Sequence, residues 1–296
     1  MTQFVTLEHG RIACDVAGTG PLVVLSHGMG TRREDYRHLA PRLARAGYRV
    51  VNADMRGHGE SSLNWPSVTG KAAITQTDVA RDLLGVIRHF GGPAVIVGHS
   101  LSGGAATIAA AKAPDLVAAV VEINPFTRIQ RLHAGALLTV RRYRRGLLGL
   151  AAVQVFRSLF WWRRYLNVAY PTKPDDYEWY LNRLSAKLKE PGRWAEFMKT
   201  SAAKPAESAP RLSEVRCPAL VIMGAREPDF ADPRAEGAAI VAAMPTRLGS
   251  VAIVENAGHY PHSQVGHQVA DLLIPFLDRH TGRDETTPNG ERQRVR

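Results

Sequence analysis

The chain has 296 residues, 45% of them hydrophobic and 22% charged, enough apolar material for a sizeable core, which excludes a disordered chain or a peptide-like scaffold. Its only cysteines, Cys14 and Cys217, can build neither a disulfide framework nor a cysteine zinc cluster, and a reducing compartment fits. The net charge of +11 is concentrated: residues 126–211 hold 17 basic and 6 acidic side chains, against 12 and 10 in residues 1–125 and 9 and 11 in residues 212–296.

The first nine residues have neither the basic start nor the apolar run of a secretory signal. The longest apolar stretch, near 147–156, is far shorter than the roughly 20 residues of a membrane-spanning helix, so the expectation is a cytoplasmic protein. Strands are predicted over 3–8, 11–17, 21–26, 49–53, 94–97, 118–123, 219–223 and 251–254. His9-Gly10 joins the first two as an antiparallel hairpin, in which Arg11, Ala13 and Asp15 alternate with Ile12, Cys14 and Val16. The runs Val23-Val24-Leu25, Val95-Ile96-Val97 and Leu220-Val221-Ile222 do not alternate, as expected of strands covered on both faces. Helices are predicted over 35–46, 75–90, 101–113, 232–244 and 264–279. Strand and helix alternating in this way describe an α/β fold with a mostly parallel eight-stranded sheet and helices on both faces.

The alternation stops at Pro125 and resumes at Cys217-Pro218. The segment between has helical periodicity, the whole charge excess and four of the five tryptophans: Trp161, Trp162, Trp179 and Trp194. It reads as a helical lid over 126–211 inserted into a core domain formed by 1–125 and 212–280. Residues 281–296 are polar and read as a frayed tail.

The strand 94–97 runs into Gly98-His99-Ser100-Leu101-Ser102-Gly103-Gly104 and then an alanine-rich helix, which sets Ser100 on a sharp strand-to-helix turn. The small residues Gly98 and Ser102 keep such a turn free of collisions. A hydroxyl held there, at the positive end of a helix, becomes a usable nucleophile once a base is within reach. A serine in this position could also serve only as a helix cap.

Together with His27-Gly28-Met29-Gly30 after the third strand, Asp54-Met55-Arg56-Gly57-His58-Gly59-Glu60-Ser61 after the fourth, and Gly258-His259 after the last, the chain resembles an α/β-hydrolase over residues 2–125 and 212–279. It carries a G-x-S-x-S variant of that family's G-x-S-x-G elbow, and Ser102 narrows the room around the turn. The resemblance implies Ser100 as nucleophile and His259 as general base, with His262 the runner-up. It implies a buried acid in the loop after Gly224: Glu227 is preferred over Asp229 because its longer side chain can reach the same point, while Asp54 and Asp232 are weaker candidates. The backbone amides of Met29 and Leu101 would form the oxyanion hole, and His27, Gly28, His99, Trp161 and Trp162 would lie beside the substrate. No cofactor and no metal are implied. Serine at the elbow argues against an epoxide hydrolase or dehalogenase, which use aspartate there.

The function expected is a serine hydrolase cleaving a carboxylic ester or related acyl bond of an apolar or acyl-chain substrate. The alternatives are a cofactor-free perhydrolase or haloperoxidase and a non-catalytic ligand-sensing protein. In the lid, basic pairs alternate with leucines and aromatics, as in Leu137 to Leu148 and Phe156 to Tyr165. Such a surface either lines a pocket, docks on anionic lipid, or packs on the core with its arginines in water. The basic residues accompany no nucleic-acid-binding motif.

Overall fold

The computed structural model describes residues 2–129 and 132–281. Strands β1 (Thr2–Leu7), β2 (Gly10–Ala17), β3 (Leu22–Ser26), β4 (Arg49–Ala53), β5 (Ala94–His99), β6 (Val117–Ile123), β7 (Ala219–Gly224) and β8 (Gly249–Val254) form one sheet in the order β1-β2-β4-β3-β5-β6-β7-β8. Pairings β1·β2 and β2·β4 are antiparallel and the remaining pairs are parallel. Every residue of β3, β5 and β7 is buried, because helices cover both faces. Successive residues of β5 serve opposite faces: Ile96 joins one apolar cluster, Val95 and Val97 the other. In β2 Ala13 is buried along with Ile12 and Cys14, since β2 lies inside the sheet and the Ala13 N–H donates to Ser61 Oγ at 2.9 Å.

The helices are α1 (Ala40–Arg45), α2 (Gln76–Phe90), α3 (Leu101–Lys112), α4 (Ala134–Thr139), α5 (Arg141–Phe156), α6 (Leu159–Ala169), α7 (Tyr177–Lys189), α8 (Arg193–Lys199), α9 (Pro233–Ala242), α10 (Pro261–Gln264) and α11 (Gly266–His280). The single helix expected over 35–46 is instead a tight turn, Arg33–Tyr36, followed by α1. Pro41 is the reason: it has no N–H to offer a continuous helix and is tolerated only in a first turn. The helix expected over 264–279 is preceded by the separate turn α10. The expected tail, apart from Thr281, lies outside the described residues.

Helices α4 to α8 fall between β6 and β7 and have their own apolar cluster, including Val153, Trp162, Tyr165, Leu166, Tyr180 and Phe197. The Arg37 guanidinium grips the Asp176 carboxylate at the start of α7 with two 2.7 Å contacts, a forked geometry that fixes orientation as well as position. Among the described residues no helix is long and apolar enough to cross a membrane.

Candidate active site

The strands β3, β5, β6, β7 and β8 all deliver their carboxyl ends to one edge of the sheet, the place where open α/β sheets bind ligands. Ser100 sits between β5 and α3 with φ 53° and ψ −115°, a strained conformation for a residue with a side chain. Gly98 permits it, because a Cβ there would meet Ser102 O at 2.2 Å. Ser100 occupies the cap position of α3, yet its side chain makes no cap hydrogen bond. The hydroxyl is therefore not spent on helix capping.

His259 is fixed by its own backbone. Its N–H donates to Ala169 O at 2.9 Å, and its carbonyl accepts from His99 Nε2 at 2.8 Å and from Asn124 Nδ2 at 3.0 Å. The ring presents Nδ1 to Glu227 Oε2 at 2.7 Å. With the proton on Nδ1, Nε2 is the free acceptor. Asp229 Oδ2 stands 3.6 Å from the same Nδ1 and accepts from Tyr165 Oη at 2.6 Å, while the Asp229 N–H donates to Glu227 Oε1 at 2.8 Å. The structure thus places Glu227, rather than Asp229, in hydrogen-bond contact with the imidazole.

Burial works against the charged form of His259, but the Glu227 carboxylate, by charge and by hydrogen bond, and then Asp229, outweigh it and raise its pKa above the ordinary 6.5. For Asp229, burial first and the neighbouring Glu227 charge second push the carboxyl up. Glu227, Asp229 and His259 bring ligand atoms within 4.8 Å of one another, as do the buried Asp35, His99 and His262. The first group is already engaged in the hydrogen bonds just described.

Ser100, Leu101, Met29, Asp229 and His259 line one cavity of about 330 Å³, whose walls include Phe126 and Trp162. The amide of Leu101 opens α3, so it has no partner within the helix. Among the described residues, neither it nor the Met29 amide donates elsewhere. Gly28 brings the two loops together: a Cβ on it would lie 2.7 Å from His99 Nδ1 and 3.0 Å from Ser100 Cβ.

Of the five residues expected beside the substrate, Trp162 alone lines the cavity. His27 is fully buried, its Nε2 accepting from the Met55 N–H at 3.0 Å and its Nδ1 contacting Gly28 O at 2.8 Å, so it braces its loop. His99 is likewise buried and supports the His259 carbonyl. Gly28 contributes close approach and has no side chain to offer. Trp161 lines a neighbouring groove on the outer side of α5 and α6. His262 is buried and stacked on Tyr36 with ring centroids 4.5 Å apart, away from the cavity. Asp232 caps α9 through the amides of Arg234 and Ala235. Asp54 accepts from the amides of Arg33 and Glu60 and so pins its own loop.

Two residues that hold the site escape sequence reasoning. Asn124, at φ 40°, donates to the carbonyls of Gly258 and His259 and accepts from the Gly224 N–H, tying β6 to the loops after β7 and β8. The only signal is an asparagine, tolerant of positive φ, directly before Pro125 at a strand end. Arg142 of α5 donates to the carbonyls of Glu227, Phe230 and Ala231 and so clamps the acid loop from outside the sheet. In the sequence it is indistinguishable from its basic neighbours.

The chain is similar in sequence or fold to several known proteins. The chain is 34% identical over 175 residues to the 2-(acetamidomethylene)succinate hydrolase of Mesorhizobium japonicum, covering 57% of each chain. It is 40% identical over 109 residues to epoxide hydrolase B of Mycobacterium tuberculosis, covering 36% of this chain and 30% of that one. It therefore spans less than two thirds of either relative. A thermophilic esterase from Thermogutta terrifontis shares the fold, with a TM-score of 0.69 at 21% identity over 95% of this chain and 99% of that one. A family model described as the alpha/beta hydrolase family matches residues 23–272, from near the start of β3 to within α11. Taking in the elbow, the acid loop and the histidine loop alike, that match means that the chain belongs to the alpha/beta hydrolase family.

Proposed function

We propose that the protein hydrolyses a carboxylic ester or related acyl bond through an acyl-enzyme on Ser100. His259 Nε2 takes the Ser100 proton as Oγ attacks the substrate carbonyl, and the amides of Met29 and Leu101 receive the oxyanion. Collapse of the tetrahedral intermediate expels the alcohol, which leaves with the proton from His259. Water then repeats the cycle on the acyl-enzyme, releasing the acid and restoring the Ser100 hydroxyl. Glu227 holds the imidazole in the required tautomer throughout. The observation that carries the reading is a strained serine, unused as a cap, opening on the same cavity as a histidine whose Nδ1 is 2.7 Å from a buried glutamate.

At about 330 Å³ the cavity is at the small end for ligand pockets, which favours a short or compact acyl group. Gln76 and Trp162 line it, and among the described residues Gln76 Oε1 and Trp162 Nε1 are buried without partners. The serine at the elbow favours acyl transfer over the epoxide opening named for one relative.

A fluorophosphonate probe should label the wild-type protein and not Ser100→Ala, and turnover of short p-nitrophenyl esters should fall at least about 10³-fold in that variant. Labelling that survives the substitution overturns the assignment.

A further inference from the structure

We propose that the outer face of α5 and α6 is a docking surface for an anionic lipid bilayer. Residues 123–174 contain ten Lys or Arg and no Asp or Glu. The fold gathers part of this charge into a groove of about 750 Å³ lined by Arg141, Arg145 and Arg164, to which Arg226, Leu148 and Trp161 also contribute. Among the described residues, Arg141, Arg145 and Arg164 have no carboxylate partner, whereas Arg163 beside them reaches Glu178.

Beside the groove lies apolar surface that ordinary packing does not explain. Leu148, Val155, Phe156 and Phe160 are 63%, 72%, 61% and 60% exposed, each the kind of side chain a folded protein would normally bury. Phe156 stacks on Trp161 at 5.4 Å and Phe160 meets the same ring edge-on at 5.3 Å, while the Arg164 guanidinium lies 5.7 Å from it. The result is one aromatic patch with a cation at its border. On α5 the positions 141, 145, 148, 152 and 155 follow helical spacing along one stripe, and the stripe through Tyr143, Gly146 and Val153 is buried.

Arginines suit lipid phosphates, and exposed aliphatic and aromatic side chains suit the boundary between headgroup and hydrocarbon. Phosphates alone, as on a nucleic acid, would leave Leu148 and Val155 without a role, which is why the bilayer is favoured. The same helix α5 sends Leu150 and Gln154 to the cavity that holds Ser100, so a bilayer on the outer face would lie one helix thickness from the site. The surface itself does not depend on what the site does, so its test is separate from the catalytic one.

The test is flotation of the full chain with vesicles of phosphatidylcholine alone and with roughly one third phosphatidylglycerol added. The wild type should float with the anionic vesicles only. Arg145→Ala/Arg164→Ala should weaken that binding about 30-fold, and Phe156→Ser/Phe160→Ser at least about tenfold. Unchanged thermal midpoints certify the folding of these surface variants, and Leu148→Ser/Val155→Ser replaces the aromatic pair should that pair fail. No flotation, equal flotation with both vesicles, indifference to either class of substitution, or complete displacement from vesicles by duplex DNA would each overturn the proposal.

Discussion

Glu227 Oε2 and His259 Nδ1 lie 2.7 Å apart across the carboxyl ends of β7 and β8, with Glu227 fully buried and Asp229 next to it at 3.6 Å. Two carboxyl groups therefore compete for one imidazole, and the longer one makes the contact. The shorter is held off by Tyr165, and among the described residues its other oxygen, Oδ1, has no partner.

That asymmetry predicts unequal effects. Glu227→Gln removes the acceptor that fixes the tautomer and should lower kcat for a p-nitrophenyl ester by about 10⁴-fold, the size of loss seen when a triad acid becomes an amide. Asp229→Asn should cost no more than about tenfold. Steady-state kinetics of both variants decide between them; a larger loss for Asp229→Asn would exchange their roles.

The rate should also depend on pH in a defined sense. The base works only when neutral, and Glu227 raises the His259 pKa above 6.5 despite its burial. Thus kcat/KM should fall as pH drops through an apparent pKa above 6.5. In Glu227→Gln the residual activity should titrate at a lower pH, because the charge favouring imidazolium is gone. A pH–rate profile with identical acid limbs in the two proteins would contradict this electrostatic account.

Ser102 stands where the family elbow more commonly has glycine, and its hydroxyl donates to the His27 carbonyl at 2.6 Å while lying 2.9 Å from Ser26 Oγ. The variant residue fastens α3 to the loop carrying Met29. Ser102→Ala leaves buried polar groups unsatisfied and should reduce stability by about 1–3 kcal/mol, measured as a shift in the urea midpoint. An unchanged midpoint would mean that these bonds contribute nothing net.

Glu122 of β6 is fully buried, with the Thr107 hydroxyl as its hydrogen-bond partner, and burial pushes its carboxyl up to about 8 although that bond acts in the opposite direction. Unfolded, it ionises near its ordinary 4.5. Between these values the folded state holds one more proton than the unfolded state, so this group's contribution to stability is fullest below 4.5 and is lost as pH rises towards 8. Glu122→Gln cannot ionise. The stability of this variant relative to wild type should therefore increase by about 3 kcal/mol between pH 5 and pH 8, read from denaturant curves at the two pH values. A difference that does not change with pH would show that the carboxyl is not held neutral.

The sequence alone determined the sheet and its elbow. Strands buried on both faces appear as unbroken apolar runs, and a strand-to-helix turn this tight can be written only with small residues around the serine, so Val95 to Ser102 announces its own conformation. The position of Ser100 was legible for the same reason, since it directly follows β5, whereas His259 stands five residues beyond the end of β8. Spacing within the chain could not decide which carboxylate faces His259, that Asn124 binds three loops, that Arg142 clamps the acid loop while Arg145 lines an open groove, or that Trp162 faces the cavity and Trp161 the outside. Those outcomes depend on distances between residues up to 135 positions apart. Pattern within an element reflects local backbone preference; which side chains meet across elements is set only when the sheet edge and the helices over it close on one another.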